Sequence, residues 1–376
     1  MSFLRNVLWS HVDVLRSCGK RISLAGPECF NPSTSNSVTA EGKSCYYRYM
    51  WTKALTESHS AFVPPLRLAH HQEQRMGVLR YLALSAAATT SATNVFVSDY
   101  AGHLTSFALN EQPGNYSLTQ ISQSTDCAPN PSWLTLDADR GLLYCLNEGL
   151  ETLNGSLSSF AINPNGSLTH VKSATTLSGP VNGVLYGPAA GQRGIALAHY
   201  AGSAVSTWLL DGDDGGFSLN QNVPFTLLHP GPDADRQDAP HEHQAILDPT
   251  GQYILVPDLG ADLVRVFSYD RKTLKLKSLS PLQVAPGSGP RHAAFWTPCG
   301  VARDGCTTYL YLVAELASTV TGYAVGYLPD EAGLNFTQIY HSTTYGPLNL
   351  PPGNAPAGVQ ITVYLLLIPT AILHPS

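Results

Sequence analysis

Charge is scarce in this 376-residue chain. Only 13% of its residues are Asp, Glu, Lys or Arg, and the formal net charge is −6. Binding a phosphate polymer calls for clustered Lys and Arg, so the balance argues against a nucleic-acid partner. Long apolar runs are missing too: none reaches the roughly 18–20 residues that a spanning helix requires, so no membrane span is expected. Gly (32) and Pro (27) are plentiful, as they are where many short strands are joined by tight turns.

A pattern of two β-rich runs separated by a polar turn returns five times. The copies begin at Asn94, Leu142, Gly194, Tyr253 and Tyr309, and their anchor aromatics are Phe107, Phe160, Trp208, Phe267 and Tyr323. Successive anchors stand 53, 48, 59 and 56 residues apart. A β unit recurring at about 50 residues has the period of a propeller blade. The expected class is all-β, a β-propeller with about five blades in this chain.

The two ends depart from that pattern. Residues 1–75 carry a net +4 against −10 for the remainder, and show no sustained period of 2 or 3.6. We read 1–75 as a leader outside the domain, either disordered or an artefact of gene assignment. Residues 76–92, MGVLRYLALSAAATTSA, have the layout of a secretory signal: a basic Arg80, a short apolar centre, then small residues. Residues 93–360 are the repeat region, and 361–376 form an aberrant apolar tail interrupted by Pro369. The ring is expected to be incomplete.

Seven cysteines divide into Cys18, Cys29 and Cys45 in the leader and an even set, Cys127, Cys145, Cys299 and Cys306, among the repeats. The latter are candidate disulfide partners, with Cys299 and Cys306 placed to close the loop CGVARDGC. Sequons at Asn115, Asn154, Asn165 and Asn335 fall at expected turns, where a glycan is tolerated. Together with the signal-like segment they point to an extracellular protein; a cytoplasmic one is the alternative.

Between the repeated hairpins lies a second recurring element, each time near a proline: NPSWLTLD, GPVNGVLY, APHEHQAILD, GPRHAAFW and NAPAGVQIT. In a propeller the innermost strand of each blade lines the channel, so residues about 50 apart in sequence converge at its mouth. Three polar groups stand at such places. His243 is suited to general acid or base work near neutral pH. Arg291, 48 residues on and at the same point of its strand, has a planar fork for carboxylate or phosphate. Glu315 ends the next strand in an apolar setting, where a carboxylate needs a partner. His241 and His292 flank them as candidate substrate contacts. A structural role for each remains open: a turn histidine, an arginine tying blade to blade, a turn glutamate. Acids at Asp99, Glu148 and Asp258 recur at the Glu315 corner, which favours a structural reading of the set. His241-x-His243 beside Asp233, Asp235 and Asp238 lacks fixed ligand spacing, so no metal site is assigned.

The chain from about Asn94 to Gln360, most strongly from His241 to Val325 with His243, Asp258, Gly260, Asp262 and Arg291 in order and spacing, resembles the seven-bladed propeller lactonase family. That family includes the bacterial-type 6-phosphogluconolactonase and the fungal-type 3-carboxy-cis,cis-muconate lactonizing enzyme (carboxymuconate cyclase). The resemblance implies a channel site that needs no metal or cofactor, with His243, Arg291 and Glu315 on successive blades. It implies an enzyme that opens or closes a lactone, with a small-molecule lactone or carboxylate as partner. Hydrolysis would use His243 to activate water, Arg291 to hold the anion and Glu315 to pass a proton to the leaving alkoxide. The insert CGVARDGCTT lengthens the Arg291–Glu315 path, and the family's ring holds two more blades than the repeats found here. A secreted, non-catalytic propeller that binds a small ligand or partner is the alternative.

Overall fold

A computed structural model describes residues 49–54, for backbone only, then 93–112, 115–188, 191–300, 305–346, 348 and 355–361. The signal-like segment 76–92 and the tail beyond 361 fall outside the described residues. Among the described residues, five four-stranded antiparallel sheets succeed one another, each in sequence order from its inner to its outer strand. The inner strands are Tyr49–Ala54, Pro131–Asp137, Pro180–Tyr186, Ile246–Leu247 and Pro290–Trp296. The repeated hairpins supply the second and third strands, such as Tyr253–Asp258 with Leu263–Tyr269. The first sheet takes its inner strand from Tyr49–Ala54, paired with Thr93–Asp99. That strand lies inside segment 1–75, which was expected to be a leader outside the domain; the segment carries no repeat signature of its own, and the rest of it falls outside the described residues.

Burial explains the sequence texture of each sheet. The second strands of the middle three sheets are enclosed between neighbouring sheets on both faces, and Leu142–Asn147 and Tyr253–Asp258 are buried at every position. They therefore read as continuous apolar runs rather than as alternation. Outer strands meet water, and Leu168–Thr175 is exposed at most positions. Four apolar clusters fill the spaces between sheets one and two, two and three, three and four, and four and five. Phe160, Trp208, Phe267 and Tyr323 are buried in them, each burial contributing about 1.5–3 kcal/mol. Phe107 is only half-buried.

Beside each anchor aromatic the ladder between third and outer strand slips by one residue. The shifts fall at Ser106/Phe107, Ser159/Phe160, Thr207/Trp208, Val264/Val266 and Gly322/Tyr323. A bulge strengthens the local twist, so its recurrence gives every blade the same curvature. Disulfides join Cys127 to Cys145 within the core between sheets one and two, and Cys299 to Cys306 across the inserted loop. The insert lies at the end of its hairpin opposite Arg291 and Glu315, because Pro290 pairs with Ala314 while Trp296 pairs with Tyr309. Its length therefore leaves the Arg291–Glu315 geometry intact.

Candidate active site

A second irregularity, in the ladder between inner and second strands, aims the candidate residues. The register slips between Pro131 and Trp133 and between Pro290 and His292, leaving Ser132 and Arg291 as the extra residues. In the fourth sheet Glu242 bridges Asp258 while the regular ladder resumes only at Ile246. His243 thus occupies the bulge that Arg291 occupies one sheet later. A bulged residue leaves the alternation of the strand and is re-aimed relative to its neighbours; both His243 and Arg291 are buried there.

Three residues of the motif hold this geometry. The Asp258 carboxylate accepts the His241 and Ala261 backbone N–H groups at 2.8 and 3.0 Å. At Gly260 a Cβ would fall on the Ala239 carbonyl, so only glycine lets the turn approach the histidine segment. Asp262 accepts the amides of Gly287 and Gly289 at 2.6 and 2.9 Å, fixing the turn that delivers Arg291. From the same turn the Gly289 carbonyl accepts the Glu315 amide at 2.7 Å.

Glu315 is the junction. One carboxylate oxygen meets Arg291 Nε at 2.6 Å and the other Arg236 Nη2 at 2.7 Å. Arg291 is 1% exposed, and its Nη1 also donates to the Ala357 carbonyl at the start of the next inner segment. The buried fork thus ties neighbouring segments, and this places the expected anion-holding role of Arg291 behind the surface. Arg236 Nη2 stands 3.5 Å from the Tyr200 hydroxyl. The Tyr200 ring meets His243 edge-on at 5.4 Å and stacks on His241 at 4.3 Å. His243 in turn meets His292 edge-on at 5.3 Å. His243 of the fourth sheet is thus connected, through Tyr200 of the third sheet and Arg236 of the loop between them, to Arg291 and Glu315, which share the fifth sheet rather than standing on successive blades as expected.

Both ring nitrogens of His241 face protein acceptors, the Tyr200 carbonyl at 2.8 Å and Asp238 at 2.9 Å. It orients Tyr200. His292 occupies the place of Trp133, Asn182 and Gln244, which tie one inner strand to the next through Gly183, Ala245 and Ala293. Its ring stands edge-on to Trp133 at 6.3 Å, from the second sheet.

The acids that looked equivalent to Glu315 are of two kinds. Asp99 and Asp258 end their strands and accept amides of their own turns, from Ala101 and Ala261. Glu148 and Glu315 come one residue later, and Glu148 accepts the Tyr100 hydroxyl at 2.6 Å. Tyr200 holds that later position in the third sheet, following His199. This equivalence was the signal that could have found Tyr200 from sequence. Arg236 is the lone base in the acid-rich loop PDADRQDAP, and nothing in its spacing marked it.

Beneath the histidines lies an acid pair that the motif search passed over. Arg265 reaches Glu242 at 2.9 Å and Asp258 at 2.5 Å, and stacks over Phe225 at 3.5 Å. Burial first, then the Asp258 charge, pushes the Glu242 carboxyl up to about 9, so it holds a proton at neutral pH. Glu242 and Asp258 share one guanidinium with one net negative charge between them.

Successive four-stranded sheets with a buried polar cluster joining three of them define a propeller-type fold. The family described as Lactonase, 7-bladed beta-propeller matches residues 88–365, and the chain belongs to it. A "probable 6-phosphogluconolactonase" of Arthroderma benhamiae is 33% identical over 266 residues, 71% of this chain and 62% of its own length. A 6-phosphogluconolactonase of Formosa agariphila is 24% identical over 209 residues, 55% of this chain and 56% of its own. The chain thus spans less than two thirds of either relative. The solved periplasmic gluconolactonase of Pseudomonas aeruginosa shares the fold, with TM-score 0.50 at 23% identity, over 67% of this chain and 65% of that one.

Proposed function

We propose that the chain hydrolyses the ester bond of a sugar-acid lactone at the channel mouth, without a metal. The observation that carries the reading is the clustering of His243, Arg291 and Glu315, with Tyr200 and Arg236, in a chain of the lactonase family. His243 takes a proton from water as the water oxygen adds to the lactone carbonyl carbon. The tetrahedral oxyanion then collapses, the ring C–O bond breaks, and the imidazolium returns the proton to the leaving alkoxide. One histidine serves as base and then acid, so no second proton shuttle is needed. Glu315, with a guanidinium on each oxygen, anchors the site and does not pass the proton.

The relatives named above are named for lactone opening, which favours hydrolysis over the reverse cyclisation; nothing in the geometry favours a carboxymuconate-type cyclase. Acid release measured by pH-stat with glucono-δ-lactone, 6-phosphoglucono-δ-lactone and glucaro-1,4-lactone tests the reading. Release from at least one, above the uncatalysed rate, is expected. Saturable binding with no acid released from any of them would replace it with the non-catalytic ligand-binding propeller.

Extracellular export is proposed alongside. Asn115, Asn154, Asn165 and Asn335 are all exposed, and both disulfides suit an oxidising compartment. Recovery of endoglycosidase-sensitive protein from the medium of the native host is the expected result; unglycosylated protein confined to the cytosol would refute it.

A further inference from the structure

We propose that Arg236 is the specificity-determining residue that holds an anionic group, phosphate or carboxylate, carried by the lactone; this rests on the lactonase reading above. Arg236 reaches the cluster from the loop that joins the third sheet to the fourth. A buried neighbour pins that loop: Gln237 donates to the Leu259 carbonyl at 3.0 Å and accepts the Asp233 amide at 3.2 Å. The amides of Arg236 and Gln237 both return to the Asp233 carbonyl, closing a tight turn that projects the Arg236 side chain over Glu315.

The two guanidiniums on Glu315 differ in what they leave for a ligand. Arg291 is buried and committed to neighbouring segments. The Arg236 side chain is 42% exposed, and all its contacts among the described residues are made through Nη2, to Glu315 and Tyr200. Nε and Nη1 therefore make no hydrogen bond among the described residues, and their N–H groups are available to a ligand. A planar fork held at one corner by a carboxylate is already oriented, so less rotamer freedom is lost when an anion docks. Glu315 thus fixes the fork in place, and the Tyr200 hydroxyl sits beside it. Arg236 stands in the same cluster as His243, so an anion on the fork places the rest of a small lactone within reach of the base.

The test compares kcat/KM for 6-phosphoglucono-δ-lactone, glucaro-1,4-lactone and neutral glucono-δ-lactone in wild type, Arg236→Met and Arg236→Lys. One preferred anionic substrate identifies the group as phosphate or carboxylate. Arg236→Met is expected to lower kcat/KM for that substrate by about 10–100-fold more than for the neutral lactone, mainly through KM. Arg236→Lys, which keeps the charge and loses the fork, is expected to fall between. Equal losses on all three lactones, or no loss on any, would overturn the assignment. If wild type opens no lactone, the catalytic reading fails separately. Calorimetric titration with 6-phosphogluconate, glucarate and gluconate then decides the anion site. Wild-type preference for one dianion, erased in Arg236→Met, supports it, and equal binding of all three refutes it.

Discussion

Replacing Glu315 by Gln removes the charge shared by two guanidiniums and keeps the shape of the side chain. The two pairs should respond very differently. Arg291 is 1% exposed and the Glu315 side chain 11% exposed, so their 2.6 Å contact sits largely away from water. Breaking a buried pair from one side costs about 3–5 kcal/mol, and the amide that remains still accepts a hydrogen bond, so about 2–4 kcal/mol is expected. The 2.7 Å contact to Arg236, whose side chain is 42% exposed, belongs with solvent-screened pairs worth about 0–1 kcal/mol. Urea unfolding followed by tryptophan fluorescence reads these differences, and with a slope of a few kcal/mol per molar the Glu315→Gln midpoint should fall by about 1 M. Two double-mutant cycles separate the pairs. Coupling of Glu315→Gln with Arg291→Met should be about 2 kcal/mol or more, and with Arg236→Met about 1 kcal/mol or less. Equal coupling in the two cycles, or a Glu315→Gln variant as stable as wild type, would refute the reasoning.

Other perturbations follow from the same contacts. Replacing both Cys127 and Cys145 by Ala should cost about 2–4 kcal/mol, read as a lower urea midpoint, since the bridge closes a separation of 18 residues in a dry core; an unchanged midpoint would contradict this. Gly260→Ala should shift the His241 segment through its clash with the Ala239 carbonyl, lowering both the urea midpoint and lactone turnover; wild-type values for both would contradict the close approach. Glu242, raised to about 9, binds a proton that the unfolded chain has released, so its contribution to stability falls as pH rises from about 4.5 to about 9. Glu242→Gln should therefore gain on wild type as pH is raised through that range, and a constant difference would count against the shared proton. Burial lowers His199 to about 4, so the folded state resists protonation there and stability should rise with pH between about 4 and 6.5; His199→Gln should flatten that limb.

Much of the fold was legible because blade geometry repeats in the side chains that make it. Anchor aromatics lie beside a recurring bulge, and the runs between them are apolar because they are enclosed on both faces. Asp258, Gly260 and Asp262 were equally visible, since each performs a backbone task that few residue types can. The strand Tyr49–Ala54 was not: one inner strand without its hairpin carries no period. Site readings failed where the sequence marks a position without its depth. Arg291 stands where the repeat spacing put it, but its burial and its ties to Glu315 and Ala357 were not readable from position alone. Arg236 escaped because a long loop, with no repeat to align it, delivers it to a residue 79 positions away.

The most direct test of the account is the lactone-opening rate of His243→Ala. Under conditions where the wild-type chain releases acid, kcat/KM should fall by about 10²–10⁴-fold, with the circular dichroism spectrum and urea midpoint near wild type. A variant that turns over the lactone as fast as wild type would remove His243 as the base, and with it the chemistry assigned to the channel mouth.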